Sequence, residues 1–212
     1  MSFETKYLIR WGIPGWVLIF WILYQVVFLK GIDFWKFDAM QMNKGFAFLI
    51  SLAAIGVPLG YILHQIYFGV AWVFDKKIDF NKIVDQIGEK FPKHEEWGDN
   101  KNEDYYQFEY VWHMVLIKQD TETRAYIESR YRHLLGTIHG LGSLSVSSGI
   151  SLFITIALII THSSGTMDYF YFGLGVVFQI SILTFSIFNY KYYSANLNAF
   201  QKKMFQTYLK NK

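Results

Sequence analysis

Between Gly45 and Phe74 the chain runs for 30 residues without an Asp, Glu, Lys or Arg. A helix of that length rises about 45 Å, more than the roughly 30 Å of a bilayer's hydrocarbon core. Such a segment must tilt, kink or project beyond the membrane. Pro58 offers a kink site, and Gly56 and Gly60, on either side of it, form a GxxxG spacing that lets a second helix approach closely.

Three more apolar runs accompany it. Trp11 to Leu29 is 19 residues, close to the length of a single span, with Trp11 at an interfacial position and Pro14 near the start, where proline costs a helix little. This run ends without a small-residue cleavage site and reads as a retained helix rather than a signal peptide. His133 to Met167 carries no carboxylate, lysine or arginine, and its span is expected near Leu141 to His162. After a tight turn at Ser163 to Asp168, Tyr169 to Tyr190 supplies the fourth. The composition agrees: 52% of residues are hydrophobic and 20% aromatic, too many for a water-soluble chain of this size unless they cluster into spans.

The expected fold class is therefore all-α, a polytopic membrane protein with four transmembrane helices and a small helical cytosolic domain. Residues 1–74 form an N-terminal transmembrane hairpin, 75–136 the cytosolic domain, 137–190 a C-terminal transmembrane hairpin and 191–212 a basic cytosolic tail. With four spans, the N-terminus, central segment and tail share one side. They hold 2, 10 and 5 basic residues, against three (Lys30, Lys36, Lys44) and none in the opposite loops. That positive-inside asymmetry puts both termini and the central segment in the cytoplasm.

Within the central segment, Phe80 to Phe91 reads as a short amphipathic helix with Ile83, Ile87 and Phe91 on one face. Pro92, Gly98 and the charges between them mark a loop. Phe108, Val111, Trp112, Val115 and Leu116 follow helical spacing over Glu103 to Lys118. A further helix starts near Asp120 with Ile127, Tyr131, Leu134 and Ile138 on its apolar face, and no breaker separates it from the third span. In the tail, Leu197, Phe200, Met204, Tyr208 and Leu209 suggest an amphipathic helix on the membrane surface.

Catalytic signatures are absent. The chain has no cysteine, no Walker A loop, no dinucleotide fingerprint and no GxSxG elbow. His94 with Glu95, Glu96, Asp99, Glu103 and Asp104 matches neither a zinc-helix nor an EF-hand spacing and reads as a solvated acidic loop. No enzyme, metal or cofactor is expected.

Four features remain. Gly136, Gly140, Ser143, Ser147 and Ser151 share one helical face, with Gly142, Ser145 and Gly149 on a second. Such small residues either let helices pack or line a narrow water path in an oligomer. Gln25, His64, Gln65 and Gln179 are polar residues within spans; the glutamines suit interhelical bonding, and His64 could change charge near neutral pH. Arg124, Arg130, Arg132 and His133, with Lys76 and Lys77 at the other end of the segment, form a basic group. Arg124, Glu128 and Arg132 can form an intrahelical ladder. Arg130 and His133 fall outside it, and could meet anionic lipid headgroups or a phosphorylated ligand. Tyr105, Tyr106, Tyr126 and Tyr131 could stack on bases in such a pocket or pack in a core.

Two apolar hairpins bracketing a helical segment of about sixty residues, followed by a lysine-rich tail, resemble the small multi-span membrane effectors of bacterial anti-phage systems. The Hailong channel effector is the nearer likeness and the Kiwa membrane subunit the second. The resemblance implies a homo-oligomer, a tetramer, in the cytoplasmic membrane, gated by a nucleotide or oligonucleotide that a partner enzyme makes. The expected function is an oligomeric, ligand-gated channel or pore-like effector in contact with membrane lipids. A non-conducting scaffold that assembles with a cytosolic partner protein is the alternative. The central segment's 10 basic against 13 acidic residues sit uneasily with nucleic-acid binding unless the basic ones gather in one cleft.

Overall fold

Every element of the computed structural model is a helix among the described residues, which are 5–30, 39–74, 80–161 and 169–209. The order is α1 (Thr5–Lys30), α2 (Ala39–Phe68) continuing as a π-helical turn (Gly69–Phe74), α3 (Phe80–Ile87) with a 3-10 turn (Gly88–Lys90), α4 (Lys101–Ile117), α5 (Thr121–Thr161) and α6 (Tyr169–Tyr208). Three of these are long and apolar enough to cross a membrane: α2 over Ile50–Ala71, α5, and α6 from Phe170. The apolar stretch of α1, Trp11–Val27, is shorter. The chain divides into two compact units, 1–73 with 139–190 and 74–138 with 191–212. Helices α5 and α6 therefore each contribute one part to each unit.

In the first unit α1 and α2 meet through glycine. A Cβ added at Gly15 would fall 1.8 Å from the Gly56 carbonyl oxygen, and one at Gly60 would fall 1.6 Å from the Trp11 carbonyl. Only residues without a side chain permit that approach. The Trp16 indole donates to the Ala53 carbonyl (2.9 Å), one residue from the carbonyl that Pro58 leaves without its usual helical donor. One expectation about proline changes. Helix α1 begins at Thr5, so Pro14 lies in its interior rather than near its start, while α2 stays helical through Pro58 and departs from α-geometry only at Gly69.

The second unit has an ordinary apolar core. Phe80, Ile83, Val84 and Ile87 of α3 pack with Phe108, Val111, Trp112, Val115 and Leu116 of α4 and Ile127 of α5. The tail completes it. Phe205 is fully buried in it, Leu197 is buried, and Phe200, Met204, Tyr208 and Leu209 pack against the same core. This apolar face was expected on a membrane surface. It is covered by protein instead: the Phe205 ring lies 5.3 Å from Phe108, 5.6 Å from Trp112 and 5.8 Å from Phe91, centroid to centroid. The backbone of α6 passes Lys191 without a break, because a single exposed lysine does not end a helix.

Caps fix where the second unit's helices begin. The Asn100 side chain accepts from the Asn102 N–H (3.1 Å) and its amide donates to Glu103 (3.1 Å), and the Asp120 carboxylate accepts from the Thr123 N–H (2.9 Å). That backbone bond, with others at the same turn, holds the Asp120 carboxyl below its ordinary range.

Candidate functional site

The face of α5 expected to carry small residues turns inward. Ser143, Ser147, Ser148, Ser151 and Thr155 are all buried, at helical spacing over about 18 Å of axis. Four of the five hydroxyls donate to carbonyls: Ser143 to His139 (2.8 Å), Ser147 to Pro14 (2.6 Å), Ser151 to Ser148 (3.0 Å) and Thr155 to Ser151 (2.9 Å). Only the Ser147 bond reaches another helix; the other three fold back onto α5. Gly140 is different, since a Cβ there would meet nothing within 4 Å.

Two side chains reach this seam from neighbouring helices. His64 of α2 bonds Ser143 Oγ through Nδ1 (3.0 Å). Because the serine's one proton goes to His139, the imidazole is the donor in that bond. The His64 ring also lies 5.5 Å from the His139 ring, and Tyr67 sits against both. Gln179 of α6 donates to Thr155 Oγ1 (3.1 Å).

Gln25 and Gln179 are both completely buried, whereas Gln65 is exposed. Glutamine as interhelical glue needs a partner, and Gln25 has none for either amide atom among the described residues. The Gln179 carbonyl oxygen, Ser148 Oγ and Trp21 Nε1 are likewise buried without one. Counted over the described residues, eight neutral polar side chains are buried in the first unit (the five on α5, Gln25, Gln179, Ser186) against six hydrophobic ones (Leu18, Trp21, Leu63, Tyr67, Ala71, Phe172). Large apolar residues such as Phe20, Ile50, Phe153, Ile160, Phe170 and Phe188 point outward. The unit is apolar outside, and neutral polar side chains share its interior with a few apolar ones.

The basic group lies on the second unit. Arg124, Arg130, Arg132 and His133 are exposed. Arg132 is paired with Glu128 one turn earlier, while Arg124, Arg130 and His133 have no side-chain partner among the described residues. Arg124, Arg130, Arg132 and His133 all lie along one helix, α5. Lys76 and Lys77 lie outside the described residues, as does the turn at Ser163 to Asp168.

Of the four tyrosines, Tyr106 and Tyr126 are exposed and Tyr105 and Tyr131 are partly buried beside the core. Burial, then the Glu109 carboxylate, pushes the phenols of Tyr105 and Tyr131 well above their ordinary range. Burial likewise raises Glu109, against the opposing pull of His113 and of hydrogen bonds from Tyr105 and Tyr131. The Tyr131 hydroxyl donates to Glu109 at 3.4 Å, and His113 lies 3.9 Å from the other carboxylate oxygen.

The acidic loop holds a bonded group that sequence reasoning missed. Asp104 is buried. One of its oxygens meets His94 Nε2 at 2.9 Å, and both accept from the Gly98 N–H at 3.2 Å. The Gly98 backbone, at φ +106°, takes a conformation that favours glycine. Asn100 with Glu103 marks a helix start, and Asp104 falls in that first turn, where a carboxylate can accept backbone donors. That was the available signal. Among the described residues no group of three or more His, Asp or Glu is placed to hold a metal ion.

No family model, curated protein or solved structure matches the chain.

Proposed function

We propose that this chain is a four-span protein of the cytoplasmic membrane that acts as a ligand-gated, channel-type effector, with α1 as the fourth span. The observation that carries the reading is the inverted interior of the first unit. Neutral polar side chains buried at membrane depth are costly, and where they occur they mark pathways for ions or polar solutes. The second unit and both termini face the cytoplasm on this reading, because the basic residues concentrate there.

Helices α5 and α6 run unbroken from residues of one unit into residues of the other. A ligand held at Arg124, Arg130 and His133 would shift α5 as a rigid element and so alter the packing of its serine face. The chemistry of those residues suits a phosphorylated ligand, such as a nucleotide or oligonucleotide from a partner enzyme. A homo-oligomer, a tetramer by the resemblance, would set several such helices in motion together, and anti-phage defence is the setting that the same resemblance suggests.

A second reading, a non-conducting scaffold for a cytosolic partner, draws on one observation. Four of the five buried α5 hydroxyls are already bonded within the protein, so packing alone could account for them.

Ion flux through liposomes holding the purified protein separates the two. A channel gives flux that changes when Arg130 and Arg132 are replaced by alanine, with insertion intact. Silence from a well-folded preparation, with and without co-purifying nucleotide removed, would leave the scaffold.

A further inference from the structure

We propose that the interior of the first unit is a hydrated path inside a single protomer, with water bound at Ser148 of α5, Gln179 of α6 and Gln25 of α1. The proposal deepens the channel reading by naming where the path runs, and it rests on that reading only for the idea that ions follow the water.

The argument starts from unfilled hydrogen-bond capacity. Lipid offers no partner to a buried amide or hydroxyl. A serine on a packing face can answer this by donating to its own helix, as Ser143, Ser151 and Thr155 do. Ser148 does not, and neither amide atom of Gln25 nor the Gln179 carbonyl oxygen is bonded among the described residues. Gln179 is anchored on the seam by its bond to Thr155, so its free oxygen belongs to the same interior. Gln179 bonds across helices through its amide nitrogen alone, and Ser148 and Gln25 bond across none among the described residues, so joining helices does not account for the open atoms.

The chemistry of the open atoms selects the ligand. Trp21 Nε1 and Gln25 Nε2 donate, Gln25 Oε1 and Gln179 Oε1 accept, and Ser148 Oγ does both. An anion would call for donors and a metal cation for oxygen acceptors alone. Water satisfies a mixed set, and ordered water at buried polar groups is a regular part of protein structure. In this conformation each of those atoms is sealed from solvent, so water enters when the helices part.

The chain has no cysteine, so single thiols report access without background. Ser148→Cys, Thr155→Cys and Gln179→Cys would be exposed in proteoliposomes, for hours and from both sides, to a quaternary-ammonium methanethiosulfonate. Phe153→Cys and Ile160→Cys, on the outward side of α5 at 72% and 77% exposure, serve as lipid-facing controls. Thiolate forms in water and not in lipid, so the interior sites should react at least about tenfold faster than the controls. Opening motions occur within seconds, so hours of exposure sample them. Helical content and elution volume confirm that each variant folds, and agreement among three sites guards against the failure of one. Ion flux is recorded on the same vesicles. Labelling with flux supports both proposals. Labelling without flux keeps the hydrated path and removes the channel. Flux without labelling overturns the path, placing conduction elsewhere, and the absence of both overturns both.

Discussion

Replacing Phe205 with alanine tests whether the C-terminal tail is part of the second unit's core. Phe205 is fully buried and its ring meets Phe91, beyond the 3-10 turn, and Phe108 and Trp112 of α4. Truncating a buried phenylalanine costs about 3–5 kcal/mol, from lost transfer energy and the cavity left behind. At about 1.4 kcal/mol per tenfold, amides that exchange through opening of the unit should exchange about two to three and a half orders of magnitude faster. Hydrogen exchange by mass spectrometry in detergent or nanodiscs reads this helix by helix. The α3 and α4 peptides should accelerate together, while peptides of α1 and α2 stay unchanged. Gln206→Ala, at the exposed neighbouring position, is the control and should lie within about 0.5 kcal/mol of the parent. If Phe205→Ala left α4 within about threefold of the parent, the tail would not close this core, and the membrane-surface reading of its apolar face would return.

Gly60→Ala should separate α1 from α2, because the new Cβ meets the Trp11 carbonyl at 1.6 Å and backbone must move; the cost is at least the 1–3 kcal/mol or so of overpacking. It should lower the melting temperature in detergent, whereas Gly140→Ala, where a Cβ meets nothing, should not. Asp104→Ala leaves the Gly98 N–H without its acceptor and His94 without its partner, a loss of about 1–3 kcal/mol for buried hydrogen bonds left unmade. Faster exchange confined to 92–100 and the start of α4 would bear this out, and unchanged exchange would refute it. Glu109, whose folded pKa is raised, binds its proton more tightly folded than unfolded, so its contribution to stability falls as pH rises through the folded value. Glu109→Gln should therefore stabilise the second unit at neutral pH, with the gain shrinking toward the ordinary carboxylate range in acid. A gain independent of pH would show that titration is not its source.

Helix faces were legible wherever one apolar stripe answers one core. The α4 stripe from Phe108 to Leu116 is buried as its spacing requires, and so are Ile127, Leu134 and Ile138 on α5. The unbroken helix from Thr121 to Thr161 follows from the absence of any breaker. The tail was misread for a physical reason: Leu197, Phe200, Met204 and Tyr208 make the same pattern whether lipid or protein covers them. Asp104 was hidden among exposed acids, because only the cap at Asn100 distinguishes it and burial is not written in charge. Gln25 shows a third kind of limit. Its place in an apolar run was plain, but whether another helix offers it a partner depends on packing that one helix's periodicity does not contain.

A change of surroundings is written along α5 and α6 themselves. In the second unit, α5 turns Ile127 and Leu134 inward and Glu122, Arg124 and Arg130 outward. From Ser143 onward the same helix turns hydroxyls inward and Phe153, Ile156 and Ile160 outward. Helix α6 shows the inversion in reverse order, with Gln179 and Ser186 buried beneath outward Val177, Phe185 and Phe188, then Leu197 and Phe205 buried beneath outward Lys203 and Gln206. A helix surrounded by water gains by burying its apolar face; in lipid that gain vanishes and apolar residues belong outside. Both helices invert near the point where they pass from one unit to the other, at 138–143 on α5 and 186–197 on α6. The polar interior of the first unit is then no anomaly of packing. It lies on helices whose outward faces are apolar, as lipid requires, and on the proposed reading the inward face serves water.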